Sequence, residues 1–198
     1  TSTGPTPLQI PSGTVPGSYY IVAKADRAGT VLESDESNNT RLVNIRIGTD
    51  LTVSAWAAPS SASAGSSVTV TDTTKNQGTG PAAASVTGFY LSTNASFDAA
   101  DVFLGSRPVP RLDPSATHAA STSLRIPAAT VPGSYYVIAK SDWDARVPEG
   151  VETNNIRATA SIKIGADLTV SALTTPANAV AGGTFSVTDT TANQGGGG

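Results

Sequence analysis

Apolar and polar residues alternate with a period of two along much of this chain. Leu51 and Val53 are separated by a threonine, as are Val68 and Val70, and polar residues flank each pair. This alternation is typical of β-strands that bury one face, because successive side chains point to opposite sides of a sheet. Residues 135–139 form a nearly continuous apolar run, which indicates a central strand. No window shows the 3.6-residue period of a long amphipathic helix.

Further segments of the chain also predict strands. Residues 86–91 are apolar and aromatic, and residues 102–104 form a short apolar run before a glycine. Leu124 and Ile126 indicate a further strand that leads into Pro127. Residues 156–164 alternate over their whole length, which predicts one strand. About seven strands in roughly 115 residues predict an all-β fold, an immunoglobulin-like β-sandwich. The predicted core consists of inward-facing apolar residues: Val53, Val68, Val70, Ile138, Ile162 and Ile164.

The sequence repeats itself at a long, nearly constant offset. Residues 50–55 recur as 167–172, which is 117 residues later, and residues 15–20 recur as 131–136, which is 116 residues later. One inserted residue between positions 156 and 165 reconciles the two offsets. A period of this length matches one ordinary domain and exceeds the 20–45 residues of a solenoid repeat. The chain is therefore predicted to contain tandem copies of one domain.

Only one copy is complete under this interpretation. It spans residues 50–165, while residues 1–49 are the C-terminal half of a preceding copy and residues 166–198 begin a following one. If residues 166–198 of one chain paired head to tail with residues 1–49 of another, the contact would produce an open filament. A domain shared in that way would lack the equivalent of residues 82–116. We therefore expect this sequence to be part of a longer chain. Expressed alone, it is expected to contain one cooperatively folded domain and two labile end segments.

Composition excludes several classes of function. The net charge is −3, and the 12 Lys and Arg residues are scattered, so the sequence does not predict nucleic-acid binding. No apolar run approaches the ~18 residues of a membrane-spanning helix. The chain contains no cysteine, which excludes disulfides and thiol chemistry. Charged residues make up only 14%, so the surface is expected to be neutral and rich in hydroxyl groups.

Tyrosine pairs follow a Pro-Gly-Ser sequence in both copies. In immunoglobulin-like folds a tyrosine near the start of the sixth strand packs at a corner and bonds to upstream backbone. Tyr135 or Tyr136 is the candidate in the complete copy, and Tyr19 or Tyr20 in the partial one. The alternative is that both tyrosines of each pair are ordinary strand residues.

Five motifs, spread along the whole complete copy, carry a family resemblance. They are Asp50-Leu51-Thr52-Val53, Thr74-Lys75-Asn76-Gln77-Gly78, Phe89-Tyr90-Leu91-Ser92, Gly133-Ser134-Tyr135-Tyr136 and Glu152-Thr153-Asn154-Asn155. On these motifs the chain resembles the CARDB domain, a cell-adhesion-related domain found in bacteria. The resemblance implies a secreted β-sandwich used in tandem on large bacterial surface proteins, so an extracellular or cell-surface location is expected. It does not imply a particular ligand.

One candidate metal site lies in the segment that follows residues 86–91. Asn94, Ser96, Asp98 and Asp101 place oxygen atoms at nearly alternate positions of a loop. Such spacing allows a loop to wrap around Ca²⁺, the candidate ion. The alternative is a turn in which these side chains bond to nearby backbone.

A second candidate metal site lies in the loop that precedes residues 156–164. Asp142, Glu149, Glu152 and Asn154 gather acids at one end of the predicted sandwich, and residues 26–38 hold their counterparts. A cation at this position would stiffen the junction with the next domain. The alternative is that the asparagines cap turn backbone and the acids are solvated.

Trp143 is the candidate ligand-binding residue, because an exposed tryptophan can stack on a sugar ring. The alternative is edge packing or a domain contact, and the partial copy has Arg27 at this position. A carbohydrate-binding module of a secreted protein is therefore the alternative function, with cell-surface glycans as ligands.

Catalysis has little support in the sequence. His118 is the only histidine, and neither a nucleophile elbow nor a phosphate-binding loop nor a zinc-protease helix occurs. No catalytic residue and no certain cofactor is predicted. The favoured function is a non-enzymatic structural or adhesive segment of an extracellular surface protein or fibre. Its expected partners are neighbouring repeats or further copies of the same protein.

Overall fold

The structure is a computed structural model that describes residues 3–197, and these residues form strands and loops with no helix. Thirteen strands follow one another along this part of the chain. They are β1 (Gly17–Lys24), β2 (Thr40–Ile47), β3 (Leu51–Ala57), β4 (Ser61–Ala62), β5 (Ser67–Asn76), β6 (Ser85–Ser92), β7 (Val102–Val109), β8 (Thr117–Arg125), β9 (Gly133–Lys140), β10 (Ile156–Ala158), β11 (Ile162–Ile164), β12 (Leu168–Thr174) and β13 (Thr188–Asn193).

Strands β3 to β11 form two sheets that pack against each other. The first sheet has three antiparallel strands in the order β3-β5-β8. The second has six strands, with β4-β11-β9-β6-β7 in order and β10 also paired to β9. All pairs in these sheets are antiparallel except β4 with β11. Neighbouring strands in each sheet are therefore often distant in sequence, as the side-by-side placement of β6 and β9 shows.

The main core lies between the two sheets. Alternate residues of β5 are buried, including Val68 and Val70, and they face residues such as Phe89 and Val137 of the other sheet. Trp56 stacks on Phe89 with ring centroids 5.3 Å apart. Burial of these side chains contributes about 1.5–3 kcal/mol each. The predicted core residues are all buried, and the all-β prediction is confirmed.

A tyrosine bonds to the backbone just before β9, which is the first of the two alternatives that the sequence left open. The Tyr135 hydroxyl donates to the Val131 carbonyl at 2.9 Å. Tyr19 makes the same bond in the N-terminal copy, to the Val15 carbonyl at 2.7 Å. The first tyrosine of each pair therefore bonds to upstream backbone four residues earlier.

The two end segments form separate two-stranded hairpins, β1–β2 and β12–β13. The C-terminal hairpin repeats the register shift of the complete copy, between Val170 and Ala172 as between Val53 and Ala55. Apolar residues that the complete copy buries are exposed here. Leu168 is 69% exposed, whereas its counterpart Leu51 is fully buried.

Three expectations about strands were wrong. Residues 156–164 form two short strands, β10 and β11, because residues 159–161 leave the ladder to β9. Strand β7 continues past Gly105 to Val109, where a register shift against β6 accommodates the glycine. Strand β8 begins at Thr117, although its first half lacks bulky apolar residues, because it pairs with β5 over nine residues. The count of nine strands in β3–β11 therefore exceeds the expected seven.

Ile138 is buried, but its position differs from the prediction. The inner face of β9 contributes Val137 and Ala139 to the main core, and Ile138 lies between them in sequence. Successive side chains of a strand point to opposite faces, so Ile138 is directed to the outer face of the sheet. Its burial shows that other residues also cover this outer face.

Candidate functional site

A buried ion pair connects the two sheets. Arg107 of β7 donates from Nε and Nη2 to the two carboxylate oxygens of Asp72 on β5, at 2.6 and 2.5 Å. Both side chains are almost completely buried. The guanidinium also contacts Thr74 Oγ1 at 3.3 Å and the His118 carbonyl at 3.2 Å. The sequence prediction missed this pair, although an aspartate at an inward position of an alternating strand was a signal for it.

His118 belongs to the same buried network. Its Nδ1 lies 2.9 Å from Arg107 Nη1, and arginine can only donate, so Nδ1 accepts. The neutral ring therefore carries its proton on Nε2. In a catalytic triad, the Nδ1 atom of the histidine binds the orienting carboxylate. In this chain, the Nδ1 atom of His118, the only histidine, instead contacts Arg107.

The loop between β9 and β10, residues 141–155, holds the second set of predicted metal ligands. Asp142 has a φ of 44°, a left-handed conformation that aspartate tolerates, and its carboxylate accepts from the backbone N–H groups of Arg146 and Val147. Asp26 makes the same turn in the N-terminal hairpin, with a φ of 37° and bonds from Thr30 and Val31. The local sequence therefore builds this turn in both copies.

The pKa values of the two aspartates are nevertheless shifted in opposite directions. Burial raises the pKa of Asp142 and outweighs its bonds from Val147 and Arg146. The pKa of Asp26 is lowered, chiefly by its backbone bonds from Val31 and Thr30, and this residue is less buried than Asp142. The same turn thus has opposite effects on the pKa of its aspartate, according to how deeply that aspartate is buried.

Glu149 is the most perturbed acid of the loop. Its Oε2 accepts from the Leu51 N–H at 2.5 Å, and its Oε1 accepts from Asn155 Nδ2 at 3.0 Å. Burial raises the pKa of Glu149 to about 8; the Leu51 bond opposes this shift, and the Glu152 and Asp142 carboxylates add to it. Glu152 also accepts from the Glu149 N–H at 3.0 Å. The carboxyl group of Glu149 therefore connects the loop to the first residue of β3.

The asparagine pair of this loop bonds to acids. Asn154 Nδ2 donates to Asp50 Oδ1 at 2.8 Å, in parallel with the bond from Asn155 to Glu149. The expectation that these asparagines cap turn backbone was therefore wrong. The expectation that the acids are solvated was wrong for Asp142 and Glu149, which are buried, while Glu152 is exposed. The reason is tertiary, because the start of β3 packs on the loop. The Oδ1 atoms of Asn154 and Asn155 are buried without a hydrogen-bond partner among the described residues.

The first set of predicted metal ligands forms a turn between β6 and β7. Asn94 Oδ1 accepts from the Ser96 N–H at 2.7 Å, and Asp98 Oδ1 accepts from the Ala100 N–H at 2.7 Å. Asp101 Oδ2 accepts from the Asp98 N–H at 2.9 Å. These oxygens bond to local backbone, as the alternative prediction describes. Within residues 3–197, no group of three or more His, Asp or Glu side chains is placed to hold a metal ion.

Trp143 lies in an aromatic cluster on the outer face of the second sheet. It stacks on Phe103 with centroids 5.1 Å apart, and it covers Gly88, where a Cβ would lie 2.9 Å from the Trp143 side chain. Tyr90 contacts the edges of Phe103 and Phe97. Trp143 is half-buried, while Phe103 is 47% exposed. The cluster therefore covers the outer face and leaves one ring accessible.

A family model described as CARDB matches residues 48–159. The chain belongs to the CARDB family. The match includes the first sheet, the aromatic cluster and the loop of residues 141–155, so the CARDB domain is the part of the chain that contains every candidate site described above. No curated protein matches the chain. The described residues contain no helix that is long and apolar enough to cross a membrane.

Solved structures with similar folds include other CARDB domains. The CARDB domain of a Pyrococcus furiosus protein, in complex with di-metal ions, is 20% identical; the match covers 59% of this chain and 89% of that chain, with a TM-score of 0.45. A domain assigned to a cell surface protein of Methanosarcina acetivorans is 18% identical, with 60% and 93% covered and a TM-score of 0.44. A β-glucosidase of Listeria innocua is 15% identical, with 59% of this chain but only 16% of that chain covered and a TM-score of 0.42.

Proposed function

We propose that this chain is a non-enzymatic structural and adhesive segment of an extracellular surface protein, built from immunoglobulin-like β-sandwich domains in tandem. Its partners are neighbouring domains of the same kind and further copies of the protein. One observation carries the proposal: both end hairpins reproduce the strands and local hydrogen bonds of the complete CARDB domain.

The N-terminal hairpin repeats several local hydrogen bonds of the C-terminal half of the complete domain. Glu33 N–H donates to Glu36 Oε1 at 3.1 Å, as Glu149 N–H does to Glu152 Oε1 at 3.0 Å. The C-terminal hairpin repeats the first half in the same way: the Asp167 N–H donates to Asn193 Oδ1 at 2.9 Å. Successive copies of one domain along a chain are the arrangement of a spacer or an adhesive fibre.

Surface labelling and bead binding test the location and the adhesive role. An antibody against residues 50–165 is expected to label intact cells that produce the protein. Beads coated with the chain are expected to bind one another or cell surfaces, while beads coated with an unrelated protein of similar charge do not. Labelling only after cell lysis would contradict the extracellular location, and beads that stay dispersed would contradict adhesion.

Limited proteolysis tests the division into domains. The end hairpins expose apolar faces and unpaired strand edges, whereas the complete domain buries both, so a protease is expected to trim the chain to about residues 50–165. Protection of both ends at a dilution where the chain is monomeric would contradict the tandem arrangement.

Carbohydrate binding is the second function that we propose, and the exposed Phe103 ring beside Trp143 favours it. An aromatic ring on a sheet face can stack on the apolar face of a sugar. A glycan array at high protein concentration is expected to show specific binding that Trp143→Ala abolishes. The matched control is Trp56→Phe, because Trp56 packs in the main core away from this cluster. Equal binding by Trp143→Ala and the parent chain would contradict this function.

A further inference from the structure

A three-residue link connects the N-terminal hairpin to the complete domain, and two loops of that domain hold it. Strand β2 ends at Ile47 and β3 begins at Leu51. The N–H groups of Thr79 and Gly80 donate to the Gly48 carbonyl at 2.8 and 3.0 Å. From the other side, the Gly150 N–H donates to the Thr49 carbonyl at 2.7 Å. The Asp50 carbonyl accepts from the Gln77 N–H at 2.8 Å, so all three link carbonyls are held by the domain that follows.

The side chains of the link are also engaged. Thr49 is buried, and its hydroxyl donates to the Pro81 carbonyl at 3.2 Å. Asp50 is buried as well; it accepts from Gln77 Nε2 at 3.0 Å and from Asn154 Nδ2 at 2.8 Å. Every residue after Gly48 thus has a specific partner, which a flexible linker would lack.

The N-terminal hairpin also contacts the link of residues 48–50. Gly48 has a φ of 101°, which favours glycine, and a Cβ there would lie 2.5 Å from the Pro16 side chain. A Cβ on Gly150 would lie 3.5 Å from the Ile47 carbonyl. Arg46 Nη1 lies 3.8 Å from Asp50 Oδ2, so a charge pair also spans the link. The link therefore begins at a glycine that packs against Pro16 of its own hairpin, with no room for a side chain.

A corresponding link, residues 165–167, connects the complete domain to the C-terminal hairpin and makes similar contacts. Gly165 has a φ of 93°, and a Cβ there would lie 2.8 Å from the Pro132 side chain. Its carbonyl accepts from the Gly197 N–H at 3.2 Å, and Lys163 forms an ion pair with Asp167. Each of these contacts corresponds to one at the first link. The recurrence shows that the link geometry is encoded in the repeat.

We propose that the loops of residues 77–80 and 149–150 form a docking surface for the end of a preceding CARDB domain, and that this docking holds consecutive domains at one fixed orientation. The inference rests on the tandem arrangement proposed above. A link of three residues with every carbonyl held leaves little freedom for rotation, because each change of φ or ψ would break a bond on one side. Repeating one fixed orientation along a chain produces a stiff rod, whereas a flexible linker would produce a chain of independently moving domains.

Distances between two spin labels test this proposal on the chain itself. The chain has no cysteine, so cysteines placed at Asn44 in the hairpin and Ser123 in the complete domain, both exposed, are labelled specifically. Double electron–electron resonance is expected to give one narrow distance distribution. Gly78→Ala is expected to lose that single narrow peak, because its Cβ would lie 2.6 Å from the Asp50 nitrogen. Gly13→Ala, with no atom within 4 Å of its Cβ, is the matched control and keeps the peak.

A second variant and a second measurement keep the test independent of folding. Gly80→Ala is milder, because its Cβ would lie 3.2 Å from Gly48, and it is expected to broaden the peak while urea unfolding of the domain stays unchanged. In the parent chain, the amide protons of Thr79 and Gly150 are expected to exchange slowly. A broad distribution in the parent chain, fast exchange of these amides, or a narrow peak in both glycine variants would overturn the proposal. Surface labelling and bead adhesion do not depend on stiffness, so their failure is distinguishable from this one.

Discussion

Replacing Asp72 tests whether the buried ion pair holds the two sheets together. In Asp72→Ala the Arg107 guanidinium keeps its charge, since arginine stays protonated in proteins, and it remains buried beside β5. The remaining contacts of Arg107 are with neutral groups, namely Thr74, His118 and the Pro108 carbonyl. Removing one partner of such a pair costs about 3–5 kcal/mol, because the other charge is left uncompensated. A loss of this size is a large fraction of the 5–15 kcal/mol that stabilises an ordinary domain.

The chain contains a matched control for this experiment. Arg111 and Asp113 also form an ion pair, at 3.0 Å, but their side chains are 66% and 71% exposed. Exposed pairs contribute about 0–1 kcal/mol, so Asp113→Ala is expected to leave the urea midpoint nearly unchanged. The double variant Asp72→Leu with Arg107→Met removes both buried charges and is expected to recover most of the lost stability.

Urea unfolding of the whole chain, followed by circular dichroism and tryptophan fluorescence, measures these differences. A change of midpoint at constant slope reports stability alone. If Asp72→Ala does not fold, Asp72→Asn provides a milder perturbation that keeps one acceptor oxygen for Arg107. Equal midpoints for Asp72→Ala and Asp113→Ala would refute the reasoning. Failure of the double variant to recover any stability would show that Asp72 acts through some other contact.

Three further predictions concern single residues. Burial raises the pKa of Glu149 to about 8 from 4.5, so between these pH values the folded chain holds a proton that the unfolded chain releases. The melting temperature is therefore expected to fall as the pH rises from 4.5 to 8, and Glu149→Gln is expected to remove that fall. The same fall in the Glu149→Gln variant would contradict this prediction. Asp98 bonds to turn backbone, so EDTA is expected to leave the melting temperature unchanged; a decrease that Asp98→Ala abolishes would support calcium instead. Val70→Asp is expected to unfold the domain, because an unpaired charge in the core costs more than about 4 kcal/mol, and cooperative melting of this variant would refute the core assignment.

Local patterns were sufficient to predict much of this fold. Alternation in β3 and β5 identified strands and their buried faces, because a period of two needs no knowledge of the partner strand. The repeat offset likewise predicts the boundaries of the complete copy from sequence alone, and these boundaries stay a prediction. Strand β8 was missed in its first half, because Ala, Ser and Thr carry little apolar signal and pairing with β5 decides its structure.

The polar network was beyond local patterns. Arg107 and Asp72 are 35 residues apart, and Leu51 and Glu149 are 98 apart, so only the arrangement of the sheets brings them together. The acids of the loop of residues 141–155 were identified as a group from sequence. Their environment was not, because burial by the start of β3 is a tertiary effect.

The repeat allows the local and tertiary contributions to be separated within one molecule. Tyr19 and Tyr135 make the same hydroxyl bond, although only the second belongs to a complete domain. These bonds are therefore determined by a short stretch of sequence. The pKa values of Asp26 and Asp142 are shifted in opposite directions although their backbone bonds correspond, because only Asp142 is fully buried. In this chain the hairpin sequence thus fixes the backbone of the turn, and burial in the complete copy raises the pKa of its aspartate. The raised pKa of Glu149 has the same origin, because its carboxyl group is buried where it accepts from the N–H of Leu51, the first residue of β3.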